Sequence, residues 1–123
     1  MKSIARPLLL LALAVASGVS SAHSVPHHHV GKVMAGNDDY TLYTYDPDGT
    51  SSTSHCVDTC AAIWPPYLAD ADAKAAGDFT LATRGDGTRQ WVYKRQPLYL
   101  FAGDAKPGDR DGDGVNGSWH VIP

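Results

Sequence analysis

The sequence predicts an all-β fold: a small single domain of two related β repeats with at most one or two short helical turns. Two observations lead there. Short runs of alternating apolar and polar residues are separated by turns rich in Gly, Asn and Asp. A segment of the form Leu-Tyr-x-aromatic-x-x-Asp also occurs twice, once ending at Asp48 and once at Asp104.

The elements follow in order. Residues 23–29 form a polar lead with Pro26 and three adjacent histidines, expected to be mobile. Val30 to Ala35 and Tyr40 to Tyr45 read as strands joined by the turn Gly36-Asn37-Asp38-Asp39. Asp46 to Thr59 is a loop. Cys60 to Ile63 starts a helical turn that Trp64-Pro65-Pro66 ends, because the residue before a proline avoids the helical region. Leu68 to Ala76, rich in Ala and Asp, is expected to form a short helix stopped by Gly77. Phe79 to Thr83 and Thr88 to Lys94 alternate around Arg84-Gly85-Asp86-Gly87 and predict a hairpin. Leu98 to Ala102 is a strand with Pro97 at its first position, where a missing N–H is tolerated. After an Asp/Gly loop from Gly103 to Ser118, Trp119 to Ile122 closes the chain as a strand.

The first 22 of the 123 residues have the three parts of an export signal. Lys2 and Arg6 form the positive end, Pro7 to Ala16 the apolar run, and Ser20-Ser21-Ala22 the small-residue cleavage site. The apolar run is too short to cross a bilayer, which takes about 20 residues. No cysteine follows it, so no lipid attachment is expected. The mature chain then starts at His23 and carries no transmembrane segment. It belongs in the periplasm or outside the cell.

Export removes two of the ten basic residues and none of the thirteen acids, leaving a net charge of −5. Every acid is Asp. A nucleic-acid partner, which needs a basic face against phosphates, is excluded on this balance, and so is any site built on glutamate. Leu, Ile, Val and Phe supply only sixteen mature residues, and three Trp and six Tyr fill the gap. The core is therefore expected to be small and carried by aromatic rings. Those rings are read as core rather than as a platform for a flat ligand such as haem or a sugar.

In a strand, residues two apart share a face. Tyr43 and Tyr45 thus lie on one face, as do Tyr99 and Phe101, and Asp48 and Asp104 fall just past each strand, placed to accept turn N–H groups. Each half is followed by a loop and a tryptophan, Trp64 or Trp119.

The repeated pattern Tyr-x-(Phe/Trp/Tyr)-x-x-Asp resembles the signature of a family of bacterial secreted repeat proteins, many of them lipoproteins, with no established function. Cys56-Val57-Asp58-Thr59-Cys60-Ala61-Ala62-Ile63-Trp64-Pro65-Pro66 resembles that family's C-x3-C-A-x-x-W-P-P block. Arg84-x-Asp86-Gly87-x-x-Gln90-Trp91-x-Tyr93, Pro97-Leu98-Tyr99, Gly103-Asp104, Pro107-Gly108-Asp109 and Trp119-His120 resemble its second half. The resemblance implies a secreted domain spanning 30–123, with repeat halves at about 30–66 and 79–123, and supplies no reaction. The chain departs from the family in lacking a lipid-accepting cysteine.

Cys56 and Cys60 are expected to pair, as two cysteines in an exported chain most often do. On a regular helix residues four apart stand too far apart for a bridge, so pairing requires a loop here. A reactive pair with a weak thiol redox role is the alternative. No G-x-S-x-G, phosphate loop or H-E-x-x-H occurs, and the chain is read as non-enzymatic. Arg84-Gly85-Asp86 spells an adhesion tripeptide that a hairpin turn explains in full.

Two metal-like patterns remain. Asp109, Asp111 and Asp113 with Gly114 match the first half of a calcium loop, but His120 occupies the position of the bidentate Glu. A flexible turn is the preferred reading. His23, with its free α-amine after cleavage, together with His27, His28 and His29 offers nitrogen ligands suited to copper or zinc. The leading functional expectation is an envelope protein that binds an unidentified envelope component or small ligand. Periplasmic metal handling is the alternative.

Overall fold

The computed structural model describes residues 27–123, so the export signal and His23 lie outside the described residues. Strands β1 (His27–Val30) and β2 (Val33–Gly36) form an antiparallel hairpin. The segment 27–29, expected to be a mobile lead, is therefore a strand. His27 stands opposite Gly36 and His29 opposite Met34 in the ladder. The His27 ring lies 4.4 Å from that of Phe79, and His28 bonds Asp39. Three histidines carry no strong strand preference, and the pairing with the fully buried β2 supplies the order instead.

Strand β3 (Tyr43–Tyr45) runs into a 3-10 turn at Asp46–Asp48. Helix α1 (Thr59–Ile63) ends where expected, with the Trp64 N–H bonded to the Cys60 carbonyl and two prolines following. Strands β4 (Leu68–Ala69), β5 (Phe79–Thr83), β6 (Arg89–Tyr93) and β7 (Gln96–Pro97) make one sheet in which β6 pairs with the other three. The hairpin of β5 and β6 turns at residues 84–87 as predicted. Strand β8 (Trp119–Val121) closes the chain against β3.

Two further expectations are corrected. Leu68 to Ala76 is not a helix: it begins as β4 and continues in turns. The carbonyls of Ala71 and Ala73 accept from the Arg89 guanidinium at 2.8 and 2.9 Å. A segment this short does not repay helix nucleation by itself, and charge-assisted tertiary bonds take its acceptors. Leu98 to Ala102 is not a regular strand, and Ala102 already belongs to the turn that follows. Tyr99 bridges Tyr43 on one side and Pro66 on the other, and the ladder pairing lies instead at β7. Leu100 N–H donates to Pro65 O, but Pro65 has no N–H to return, so the ladder cannot propagate.

The two halves are interwoven. Tyr43 and Tyr99 exchange backbone bonds at 2.8 and 3.0 Å across the middle of the molecule. Each half then lends its end to the other. Met34 N–H donates to Ile122 O at 2.7 Å, and Trp91 N–H to Tyr67 O at 2.9 Å. Likewise Val121 pairs with Tyr43, and Pro66 with Tyr99. One buried cluster centres on Met34, Leu42, Trp91 and Leu98, a second on Tyr43, Cys56, Trp64, Tyr99 and Trp119.

Candidate functional site

The motif residues meet in the second cluster, and their partners lie in the opposite repeat. Tyr99 donates its hydroxyl proton to Asp48 Oδ2 at 2.5 Å, and Tyr43 donates to Asp104 Oδ2 at 2.7 Å. The other oxygen of each carboxylate accepts a backbone N–H seven residues further on: His55 N at 2.6 Å from Asp48 Oδ1, and Asp111 N at 2.9 Å from Asp104 Oδ1. The aspartates thus take N–H groups from the loops that follow them, a turn N–H at Asp111 and an irregular one at His55. Both are buried, as are both tyrosines. We call each Tyr–Asp unit a clasp.

Each phenol has a further partner from the loop it docks on. Ser54 Oγ lies 2.7 Å from the Tyr99 hydroxyl, and Gly112 N–H donates to the Tyr43 hydroxyl at 3.2 Å. Burial, and then the bonded aspartate, pushes both phenols above the usual tyrosine range. Burial also raises the Asp104 carboxyl above the ordinary carboxylate range, against the lowering effect of the bonds from Tyr43 and the Asp111 N–H.

The rings obey the same exchange. Tyr45 stacks on Trp119 (4.2 Å between centroids), Trp119 on Trp64 (3.8 Å, planes within 1°), and Trp64 on Phe101 (4.3 Å). Successive rings come alternately from the two repeats. Tyr43 meets Trp64 edge-on at 5.4 Å, and Tyr99 meets Trp119 edge-on at 5.1 Å. Such pairs add about 0.5–1.5 kcal/mol each beyond area burial. Gly112 has to be glycine: a Cβ there would stand 2.7 Å from the Trp64 ring and 3.0 Å from Tyr43.

Cys56 and Cys60 form a disulfide, with Cα atoms 5.2 Å apart. Cys56 precedes the helix and Asp58, at φ 55°, breaks helical geometry between the two, so the bridge does not span a regular turn. It pins the chain directly after Ser54 and His55, the two residues that reach the first clasp.

Several side chains of the metal-like patterns take other partners, and His23 lies outside the described residues. Asp109 accepts from the N–H groups of Ala105 and Lys106 and pairs with Lys106 Nζ at 2.9 Å, and Asp113 accepts from Val121 N–H. His27 packs on Phe79 while His28 turns to Asp39. Among the described residues no three His, Cys, Asp or Glu side chains gather as a metal-holding group. Sequence reasoning had missed Ser54, Gly112 and the pair Arg84–Gln90, whose guanidinium and amide oxygen are 2.7 Å apart. No local spacing marks Ser54 or Gly112. The alternation along β6 does place Gln90 on a face of its own, opposite to that of Trp91.

No curated protein and no solved structure matches the chain. A family model described as a secreted repeat of unknown function matches it twice, over residues 27–67 and 80–122. The first match includes β1, and the two together hold both copies of the motif with the tryptophan that follows each. No helix among the described residues is long and apolar enough to cross a membrane. The duplicated, interlocked motif and these two matches agree: the chain is an exported protein that belongs to this family of secreted repeats.

Proposed function

We propose that this protein is a non-catalytic module of the cell envelope, periplasmic or released, that acts by binding an envelope component or small ligand. In this reading the repeated motif builds a rigid support and does no chemistry. The observation that carries it is the saturation of the motif. Both phenols and both carboxylates are buried and bonded to one another, and the phenols resist ionisation. A nucleophile or general base has to reach substrate with a proton to exchange near neutral pH, and these groups face inward. Surface residues of the loops are left to make contacts.

The purified mature protein is to be tested against esterase, glycosidase, phosphatase and thiol–disulfide exchange substrates. Rates equal to those of a heat-inactivated control are expected. Turnover that falls when Tyr99→Phe or Asp48→Asn is introduced, in variants that still fold, would place the motif in a reaction centre and overturn the reading.

A further inference from the structure

A groove of about 120 Å³ opens beside the first clasp. Its walls include Ser52, Ser54, Val57, Thr83, Arg84 and Gln90. Three of these six carry hydroxyls, Arg84 carries a positive charge, and Val57 is a half-exposed apolar wall.

Arg84 is held in place by neutral groups. Its Nη1 donates to Gln90 Oε1 at 2.7 Å and its Nη2 to the Cys56 carbonyl at 3.2 Å. Gln90 is itself fully buried and anchored, because its Nε2 donates to Leu98 O at 2.8 Å. Neither partner of Arg84 carries charge, and among the described residues its guanidinium forms no salt bridge. The nearby acids are occupied. Asp86, two residues on in the hairpin turn, receives Thr88 N–H and Thr88 Oγ1 on one oxygen. Asp48 is spent on Tyr99 and on His55. Asp86 does act on Arg84 through space, but among the described residues no carboxylate contacts the guanidinium directly, which leaves the half-buried fork open to a further anionic partner. The guanidinium fork retains further N–H donors, which match the paired oxygens of a carboxylate or phosphate.

We propose that this groove binds an oxyanion group of a small ligand, with Arg84 as the anchor and the hydroxyls of Ser52 and Thr83 as additional donors. The proposal rests on the reading of the chain as a binding module and assigns that module a site and a ligand chemistry. The groove is small, so it takes the charged end of a ligand rather than the whole of it. The disulfide loop supplies one wall and one of the bonds that aim Arg84, which links that loop's rigidity to recognition.

The test is a two-dimensional NMR titration of the full mature chain with sodium acetate, inorganic phosphate or sodium glucuronate, against sodium chloride at matched ionic strength. Saturable shifts at Arg84 Nε–H, Ser54 and Gln90 are expected, with the strongest probe separating a carboxylate from a phosphate source. Arg84→Gln should weaken binding by about tenfold or more. Thr83→Asp, on the exposed edge of the groove, should do the same by presenting a carboxylate to the guanidinium, with an unchanged melting temperature, and it decides the matter if Arg84→Gln does not fold. Absence of saturable shifts with every probe, or shifts that survive Thr83→Asp in full, would overturn the proposal. Consumption of a probe, seen in its own resonances, would contradict the non-catalytic reading and leave the binding site standing.

Discussion

The segment after Asp48 runs into a disulfide ring and the segment after Asp104 is held by turns and carboxylates, yet each returns a backbone N–H to its aspartate from seven residues on. The first loop adds the Ser54 hydroxyl to the clasp and the second adds the Gly112 N–H. In the second loop Asp109 ties down Ala105 and Lys106, and Arg110 donates to the Gly31 carbonyl at 2.6 Å. The comparison teaches that the duplicated quantity is the clasp. The chemistry that delivers its donors is free to vary, and in this chain the disulfide side carries the groove lined by Arg84.

The strongest way to break that comparison is to remove an acceptor. Asp48→Ala and Asp104→Ala each take the carboxylate acceptor from a buried phenol and leave a loop N–H without a partner, and each should destabilise by about 3 kcal/mol in denaturant unfolding. Equal losses sharpen the equivalence of the two clasps. A loss at only one would break it.

Overpacking separates the loops next. Gly112→Ala pushes a methyl against Trp64 and Tyr43, which should cost about 2 kcal/mol. Gly49, in the loop of the other half, has open space at its Cβ and only its positive φ to lose, so Gly49→Ala should cost about 1 kcal/mol. Replacing both cysteines by serine opens a short closed loop and should lower stability by about 2 kcal/mol. In hydrogen exchange the His55 amide should lose protection and the Asp111 amide should keep it.

The smallest effect is one of pH. Tyr43 and Tyr99 keep their protons above the usual phenol range in the folded state. Their contribution is therefore complete below about pH 10, where the unfolded chain's tyrosines begin to ionise, and is lost as pH rises towards the folded values. Stability measured from pH 9 upward should fall, and the fall should be shallower in Tyr43→Phe and Tyr99→Phe. Equal slopes in all three would remove the phenols from the account.

Much of this was legible in advance, for physical reasons. The turn at Arg84–Gly87 announces itself through two glycines between alternating strands, and β5 and β6 follow from it. The loop geometry of Cys56 and Cys60 follows from what a disulfide tolerates. The motif's spacing places Tyr43 and Tyr45 on one face, but spacing along one strand carries no information about which repeat supplies the facing group. The exchange of partners is set by long-range pairing of Tyr43 with Tyr99, which no local pattern encodes. β1 was hidden because three histidines signal no strand of their own and are ordered by pairing with the apolar β2 and by contact with Phe79, which is distant in sequence. Leu68 to Ala76 misled through its alanines, whose carbonyls Arg89 claims.

The central claim is that each half is completed by the other. Double-mutant cycles on unfolding free energy test it most directly, pairing Tyr99→Phe with Asp48→Ala, Tyr43→Phe with Asp104→Ala, and, as the within-repeat comparison, Tyr43→Phe with Asp48→Ala. The account predicts a coupling of about 1–3 kcal/mol for each of the first two pairs and a value near zero for the third. Coupling confined to the within-repeat pair, or absent from all three, would contradict it.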